Sequence, residues 1–134
     1  MIEELQHLKA IGPIEYYLRP DKILTGNFTD NNPKITAENI SNTLQFFKTY
    51  SNEIQEPLCI LINFSALKHL PLKARHHLRS EQVKEFSPYS KGIAIVIENS
   101  ISKLLGNVLL SVVKGYNIKL FNREEKAVEW LKRL

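Results

Sequence analysis

Cysteine and long apolar runs are both scarce in this chain. The only cysteine among 134 residues is Cys59, so no internal disulfide can form. Cys59 lies inside a short apolar run, where we expect a small buried hydrophobic residue. No run approaches the ~18 apolar residues that a membrane span needs. The N-terminal residues 1–4 lack the basic start and apolar core of a signal peptide. We therefore expect a cytoplasmic protein without a membrane span.

Glycines are few and scattered, and so are the residues that usually carry chemistry. The five glycines are far apart, which excludes a glycine-rich phosphate loop. His76 and His77 point about 100° apart on a helix, so they cannot share a metal ion as an i, i+4 pair does. Ser65, Ser100 and Ser102 lack a nucleophile-elbow motif, and no pair of carboxylates has the spacing of an acid–base site. The sequence thus predicts no catalytic residue, no metal, no cofactor and no enzyme activity.

The composition that is present fits one globular domain. Hydrophobic residues make up 43% and charged residues 24% of the chain, as in ordinary folded proteins. No repeat, low-complexity tract or flexible linker divides the chain, so we expect a single domain over residues 1–134. The net charge of +4 is unevenly distributed: residues 1–56 hold five Lys/Arg against eight Asp/Glu (−3), and residues 57–134 hold thirteen against six (+7).

The N-terminal third has the pattern of a hairpin. Residues 14–18 and 22–28 are strand-like, and the turn-forming sequence Arg-Pro-Asp at 19–21 joins them. Residues 1–12 fit neither a helix nor a strand pattern clearly.

A helix and a buried strand follow the hairpin. The helix is predicted to begin after Thr36 as its N-cap and to end near Tyr50. Residues 58–62 are five successive apolar residues, too short for a helix and typical of a central strand covered on both faces. A second helix is predicted from Pro71 to about Phe86. The apolar stripe of the first helix consists of Ala37, Ile40, Leu44 and Phe47.

The C-terminal half continues the alternation. Residues 92–97 repeat the buried-strand pattern, a third helix is predicted from Ser100 to Gly115, and residues 117–121 predict a further strand.

A last helix is predicted to begin at Asn122, with Glu125 completing a capping box. Its inward side chains are predicted to be Ala127, Val128, Leu131 and Leu134, with Trp130 at the margin. The core of the domain is predicted to contain Ile60, Ile62, Ile95, Ile97, Leu105, Val108 and Leu131.

Short buried strands that alternate with amphipathic helices predict an α/β fold. Parallel strands joined by crossover helices, with an antiparallel hairpin at the start, give a mixed sheet. We expect about five strands and four main helices.

The C-terminal half resembles the SpoIIAA-like proteins of the STAS group. The resemblance lies in residues 74–75, 94–107 and 119–131, and it is specific over residues 72–134. It implies a SpoIIAA/STAS-like mixed sheet, an architecture shared with Sec14-like lipid carriers. The chain is most similar to an uncharacterised bacterial branch, which has no established activity to transfer.

The chain departs from the regulatory STAS proteins at their phosphorylation motif. The resemblance places an acidic residue at the end of the central strand, then a phosphorylatable Ser/Thr pair and a glycine. This chain has Asn63 at the acidic position, and residues 67–73 read Leu-Lys-His-Leu-Pro-Leu-Lys. Ser65 is near but lacks the surrounding motif. We therefore expect no phosphorylation switch at the usual place.

The segment from Leu67 to Arg79 is basic and contains no acidic residue. Its cationic positions alternate with leucines. Such a segment suits an anionic membrane surface, an acidic partner protein or, less well, nucleic acid, and a solvated helix face is the simplest alternative. The surface residues we select from it are Lys68, Lys73, His76 and Arg79.

Arg75 falls within the apolar arc of the second predicted helix. Its guanidinium could extend along the apolar surface or pair with a carboxylate, or it could bind an anionic group in a groove.

The start of the third predicted helix is a second candidate surface. Ser100 is expected to cap it, leaving backbone N–H groups that could bind an anion beside Ser102 and Lys103. Asn107 lies on the same polar side, although capping alone would explain Ser100. Adjacent parallel strands would bring this helix start close to Arg75 at the carboxyl ends of the sheet.

These observations predict a non-catalytic regulatory or protein-interaction module. The alternative is a carrier or sensor of a small apolar or lipid-like ligand, which would need an apolar pocket of several hundred Å³. The expected partner is an unknown protein or a small apolar or anionic ligand. No nucleic-acid-binding motif accompanies the basic charge. Peripheral membrane contact and a homodimer remain open.

Overall fold

One sheet organises the fold. The computed structural model describes residues 5–68, 72–77, 85–98 and 117–134. Within these ranges the strands are β1 (Gln6–Ile11), β2 (Ile14–Leu18), β3 (Ile23–Phe28), β4 (Leu58–Asn63), β5 (Ser90–Val96) and β6 (Ile118–Phe121). The helices are α1 (Ala37–Ile54), α2 (Leu72–His77) and α3 (Glu124–Lys132), with a short 3₁₀ turn at Ser87–Tyr89.

The strand order in the sheet is the order along the chain, β1 to β6. β1, β2 and β3 pair antiparallel, and β3 to β6 pair parallel. The predicted mixed α/β sheet with an N-terminal hairpin is therefore confirmed. The sequence predicts about five strands, and the described residues contain six, because β1 adds a strand to the hairpin. β1 lies at the sheet edge with most of its residues exposed, so it lacks the apolar alternation that reveals a strand in a sequence.

Helices cover both faces of the sheet. Side chains alternate between the faces, so Leu24 and its cross-strand partner Ile60 point to one face and Thr25 and its partner Leu61 to the other. α1 and α2 pack on the first face, where Phe47 joins the cluster around Ile60. α3 packs on the second, across β4, β5 and β6. We call these the α1 face and the α3 face.

The described core residues of the prediction are buried. These residues are Ile60, Ile62, Ile95, Ile97 and Leu131. Leu105 and Val108 lie outside the described residues. So do the whole of the third predicted helix and, in the second, Pro71 and residues 78–84.

The Thr36 cap of α1 is confirmed. The Asn39 N–H donates to Thr36 Oγ1 at 3.0 Å, and the Thr36 N–H donates to Asn39 Oδ1 at 3.0 Å, a reciprocal capping box. The helix ends at Ile54, later than the predicted Tyr50. Gln55 follows in the left-handed conformation with φ 60°, which closes the last turn.

Two predicted helix ends are wrong. Glu85 and Phe86 form a turn rather than the end of the second helix, because the 3₁₀ turn containing Pro88 begins directly afterwards. The N-cap of α3 is Arg123, not Asn122, and no side chain caps it. Glu124 and Glu125 occupy the first turn instead, where their negative charges interact favourably with the positive end of the helix dipole.

Leu134 is not part of the core. Ala127 and Leu131 are buried as predicted, but Leu134 is 43% exposed because it lies past the end of α3. It still covers Gly92: a Cβ atom at position 92 would clash with Leu134 Cδ1 and lie 3.1 Å from the Trp130 ring.

A charge network joins the hairpin turn to α3. Arg19 Nε lies 3.1 Å from Asp21 Oδ1, and Arg19 Nη1 lies 3.2 Å from Glu124 Oε1. Lys132 Nζ lies 3.6 Å from Asp21 Oδ2. These contacts fix the β2–β3 turn against the C-terminal helix.

Candidate functional site

The loop after β4 is held by side-chain hydrogen bonds to the backbone. The Ser65 N–H donates to Asn63 Oδ1 at 2.9 Å, and the Glu98 N–H donates to Ser65 Oγ at 3.1 Å. The Phe64 N–H also donates to the Val96 carbonyl at 2.8 Å. Asn63, at the position where the resemblance implies an acid, thus shapes the turn through its amide oxygen.

The same contacts bear on modification of Ser65. A phosphate on Ser65 would alter the contact of Ser65 Oγ with the Glu98 N–H and add negative charge beside Glu98, an exposed acidic residue. The absence of a switch at this place stays a prediction, and this geometry favours it.

Basic and apolar side chains are exposed together on and before α2. Lys68 precedes the helix, and Lys73 and His76 lie on its outer side, all exposed. Leu72 is 66% exposed beside them. We call Lys68, Leu72, Lys73 and His76 the basic face.

The other side of α2 is anchored to the domain. Ala74 is fully buried in the core of the α1 face. His77 Nε2 lies 2.8 Å from Ser41 Oγ of α1, a hydrogen bond between residues 36 positions apart. This pair could not be predicted from the sequence, because neither residue belongs to a recognisable motif. The short helix therefore presents the basic face from a fixed support.

Most of the remaining predicted site residues cannot be placed. Arg75 belongs to α2, but its side chain lies outside the described structure. Arg79, Ser100, Ser102, Lys103 and Asn107 also lie outside the described residues. The structure places Lys73 and His76 one helical turn apart on α2 and shows Lys68 exposed before that helix. Their proximity to Arg75 and to the start of the third helix stays a prediction.

Surface grooves lie on two parts of the described structure. One, of about 360 Å³, lies between β1 and α1 and has mixed polar and apolar walls. The other, of about 320 Å³, is mostly apolar and is lined by Ile97, Leu120, Phe121, Asn122 and Lys126. Neither groove shares a lining residue with the basic face.

Cys59 is half-buried rather than fully buried. Its Sγ lies 3.7 Å from the Leu131 carbonyl oxygen. Burial raises the pKa of the Cys59 thiol, so the thiol is neutral near pH 7 and a poor nucleophile. Among the described residues, no three His, Cys, Asp or Glu side chains gather into a possible metal site.

The described helices do not meet the requirements of a membrane span. None of those in residues 5–68, 72–77, 85–98 and 117–134 combines the necessary length and apolarity.

Known proteins resemble this chain in sequence and in fold. The model of a family described as Domain of unknown function (DUF7793) matches residues 16–134. A solved structure of an uncharacterized protein from the DUF3478 family, with a SpoIIAA-like fold and from Shewanella loihica PV-4, matches with a TM-score of 0.58. The two chains are 18% identical, and the match covers 98% of this chain and 96% of that one. No curated protein matches the chain in sequence. The SpoIIAA-like fold that the sequence predicted is thus confirmed.

Proposed function

We propose a function from two premises: the chain belongs to the family described as Domain of unknown function (DUF7793), and its fold is SpoIIAA-like. The protein is a non-catalytic regulatory or protein-interaction module. Its contact surface is the basic face, and its partner is a protein with an acidic surface and an apolar contact for Leu72.

The observation that carries this proposal is the exposure of Leu72 among cations. Single exposed leucines are common on proteins. Leu72, however, has the exposed Lys73 and His76 as its neighbours on a helix whose opposite side is buried through Ala74, and the exposed Lys68 precedes that helix in the chain. Burying one leucine contributes about 1.5–3 kcal/mol, so a partner that covers Leu72 gains affinity while its acidic groups select the orientation.

The electrostatic part of the proposal rests on the local charge. Residues 57–134 carry thirteen Lys/Arg against six Asp/Glu, and the segment around α2 contains no acid between Glu56 and Glu81. An acid-free cationic patch attracts acidic partners over about a Debye length, roughly 8 Å at physiological salt. Recognition should therefore weaken as salt concentration rises.

Affinity capture with matched charge variants tests this surface. Tagged wild type, Lys73→Glu, Leu72→Ser and the control Arg133→Glu would be expressed in the native cell, crosslinked and captured. Lys73→Glu and Arg133→Glu change the net charge equally, but Arg133 is an exposed cation at the end of α3, on the opposite face of the sheet.

We expect wild type and Arg133→Glu to retain the same acidic partner, and both basic-face variants to lose it at unchanged melting temperature. Equal recovery by all four proteins would remove the basic face from consideration. A non-catalytic role would be contradicted if an activity screen found turnover and if substitution of one polar residue abolished that turnover.

A second candidate is a carrier or sensor of a small apolar or lipid-like ligand. The apolar groove of about 320 Å³ favours it, because Lys126 and Asn122 there could bind an acidic headgroup beside Ile97, Leu120 and Phe121. Native mass spectrometry of the protein from its own cell separates the two candidates. A carrier retains a bound small molecule, and an interaction module gives the mass of the polypeptide alone.

A further inference from the structure

The first strand of the sheet has an edge that can accept another strand. Among the described strands, β1 pairs with β2 alone. In an antiparallel pair, alternate residues of an edge strand direct their N–H and C=O groups away from the partner. Such an edge can take up an extended peptide through main-chain hydrogen bonds.

A groove runs alongside the C-terminal part of this edge. It measures about 360 Å³ and lies between residues 9–12 and one side of α1. The α1 wall contains Asn42, Gln45 and Thr49, which share one side of a helix by their spacing of three and four. Gln45 Nε2 donates to Thr49 Oγ1 at 3.2 Å, which orients the amide. An added strand would thus lie beside amide and hydroxyl groups.

Two features of β1 determine what the groove accepts. A bulge between His7 and Lys9 interrupts the pairing with β2, so the regular edge is confined to Lys9–Ile11. Lys9 is exposed, and among the residues that line the groove it is the charged one. A lysine on an edge disfavours pairing with neutral or basic strands, whereas an acidic side chain in the incoming strand would pair with it.

We propose that Lys9–Ile11 of β1 take up an extended peptide with an acidic side chain, in the groove against α1. This site is separate from the basic face and uses backbone pairing for affinity and Lys9 for selection. The partner is a protein with an accessible acidic strand or extended tail.

A second copy of this chain is a poorer occupant by charge. Antiparallel pairing of two β1 edges about Ala10 would place the two Lys9 side chains diagonally on the same sheet face. Diagonal neighbours in a sheet are about 7–8 Å apart, so the two ammonium groups would repel each other.

Peptide titration followed by NMR tests the proposal on the full chain. The probes are two hexapeptides of alternating valine and threonine, one with a central glutamate and the other with a central lysine. We expect the glutamate peptide to shift the amide signals of Lys9–Ile11 and the side-chain amide signals of Asn42 and Gln45. It should bind about threefold more tightly than the lysine peptide, the effect of one exposed ion pair.

Charge reversal provides the matched control. Lys9→Glu should reverse the preference between the two peptides, while Lys22→Glu, at an exposed lysine in the β2–β3 turn, should leave it unchanged. The proposal fails if the shifts lie elsewhere, if both peptides bind wild type equally, or if the same signals shift with protein concentration in the absence of peptide. The last result would assign the edge to a second copy.

Discussion

Tyr16 is a buried phenol at the centre of the α1 face. Its ring contacts Phe46 and Phe47, with centroids 5.5 and 5.2 Å away. Its hydroxyl donates to Thr43 Oγ1 at 3.3 Å. Burial raises the pKa of Tyr16 strongly, and the hydrogen bond to Thr43 offsets this only in part. The fold thus accommodates the neutral phenol and disfavours the phenolate.

This burial predicts a loss of stability in alkaline solution. Because the folded pKa lies above the unfolded value of about 10, the contribution of Tyr16 is fully present below pH 10 and decreases as the pH rises above it. Tyr16→Phe should reduce the difference in unfolding free energy between pH 8 and pH 11, measured by urea titration. Tyr50→Phe, at a partly exposed tyrosine, should leave most of it. If both variants lost equal stability between pH 8 and pH 11, the assignment of this pH dependence to Tyr16 would be contradicted.

The Thr36–Asn39 capping box determines the start of α1. We expect Thr36→Ala to lower the free energy of unfolding by about 1 kcal/mol, since it leaves the Asn39 N–H without its acceptor. Thermal or urea unfolding measures the change. Thr36→Ser keeps the hydroxyl and should retain most of the stability, and an equal loss with serine would show that the threonine methyl group matters instead.

The β2–β3 turn and α3 depend on each other through Asp21. Burial tends to raise the pKa of Asp21, but its hydrogen bond to Arg19 and the charges of Arg19 and Lys132 outweigh burial, so the net pKa is lowered. A lowered folded pKa gives stability that is present above the unfolded value of about 4 and is lost as pH falls below it.

We therefore expect Asp21→Asn to destabilise the protein by about 1 kcal/mol at pH 7 and to have a smaller effect at pH 3, below the unfolded pKa of about 4. Urea unfolding at the two pH values measures this difference. Glu129→Gln, at an exposed acid of α3, should have little effect at either pH. A loss from Asp21→Asn that persists at pH 3 would show that packing, not charge, explains it.

Gly92 allows α3 to approach β5. We expect Gly92→Ala to lower the unfolding free energy by about 1–2 kcal/mol, because the added methyl group would press against Trp130 and Leu134. Leu134 is partly exposed and lies at the chain end, so Leu134→Ala in the same protein should recover part of the loss. Double-mutant unfolding measures this coupling, and simple additivity would contradict the contact.

At the scale of the whole molecule, the sequence predicted the parts that burial controls. β4 and β5 have successive apolar residues because helices cover both of their faces, and this pattern is visible without a structure. β1 was missed because an exposed edge needs no apolar alternation. The α3 cap was misplaced by one residue because Asn122 has the ordinary chemistry of an N-cap, and only the backbone conformation of Arg123 distinguishes the two.

The residue types of the candidate site could be predicted from the sequence, but their arrangement in space could not. The basic residues of the α2 region are visible in the sequence, and helical spacing places Lys73 and His76 near each other. The contact of His77 with Ser41 depends on how α2 packs on α1. No local sequence pattern indicates this packing. The groove beside β1 is formed by β1, which the sequence pattern does not indicate as a strand, and by the polar side of α1. The sequence alone therefore could not reveal the groove.

The strand order of the sheet has a consequence for synthesis of the protein. Because each strand pairs with the next along the chain, the sheet can assemble one strand at a time as the chain leaves the ribosome. The α3 face must wait, since its covering helix follows all six described strands in the chain, and Arg19 meets Glu124 across 105 positions. Until then Leu61, Ala94 and Val96 lack α3 as their cover. The nascent chain thus exposes this apolar face to aggregation until α3 docks on it.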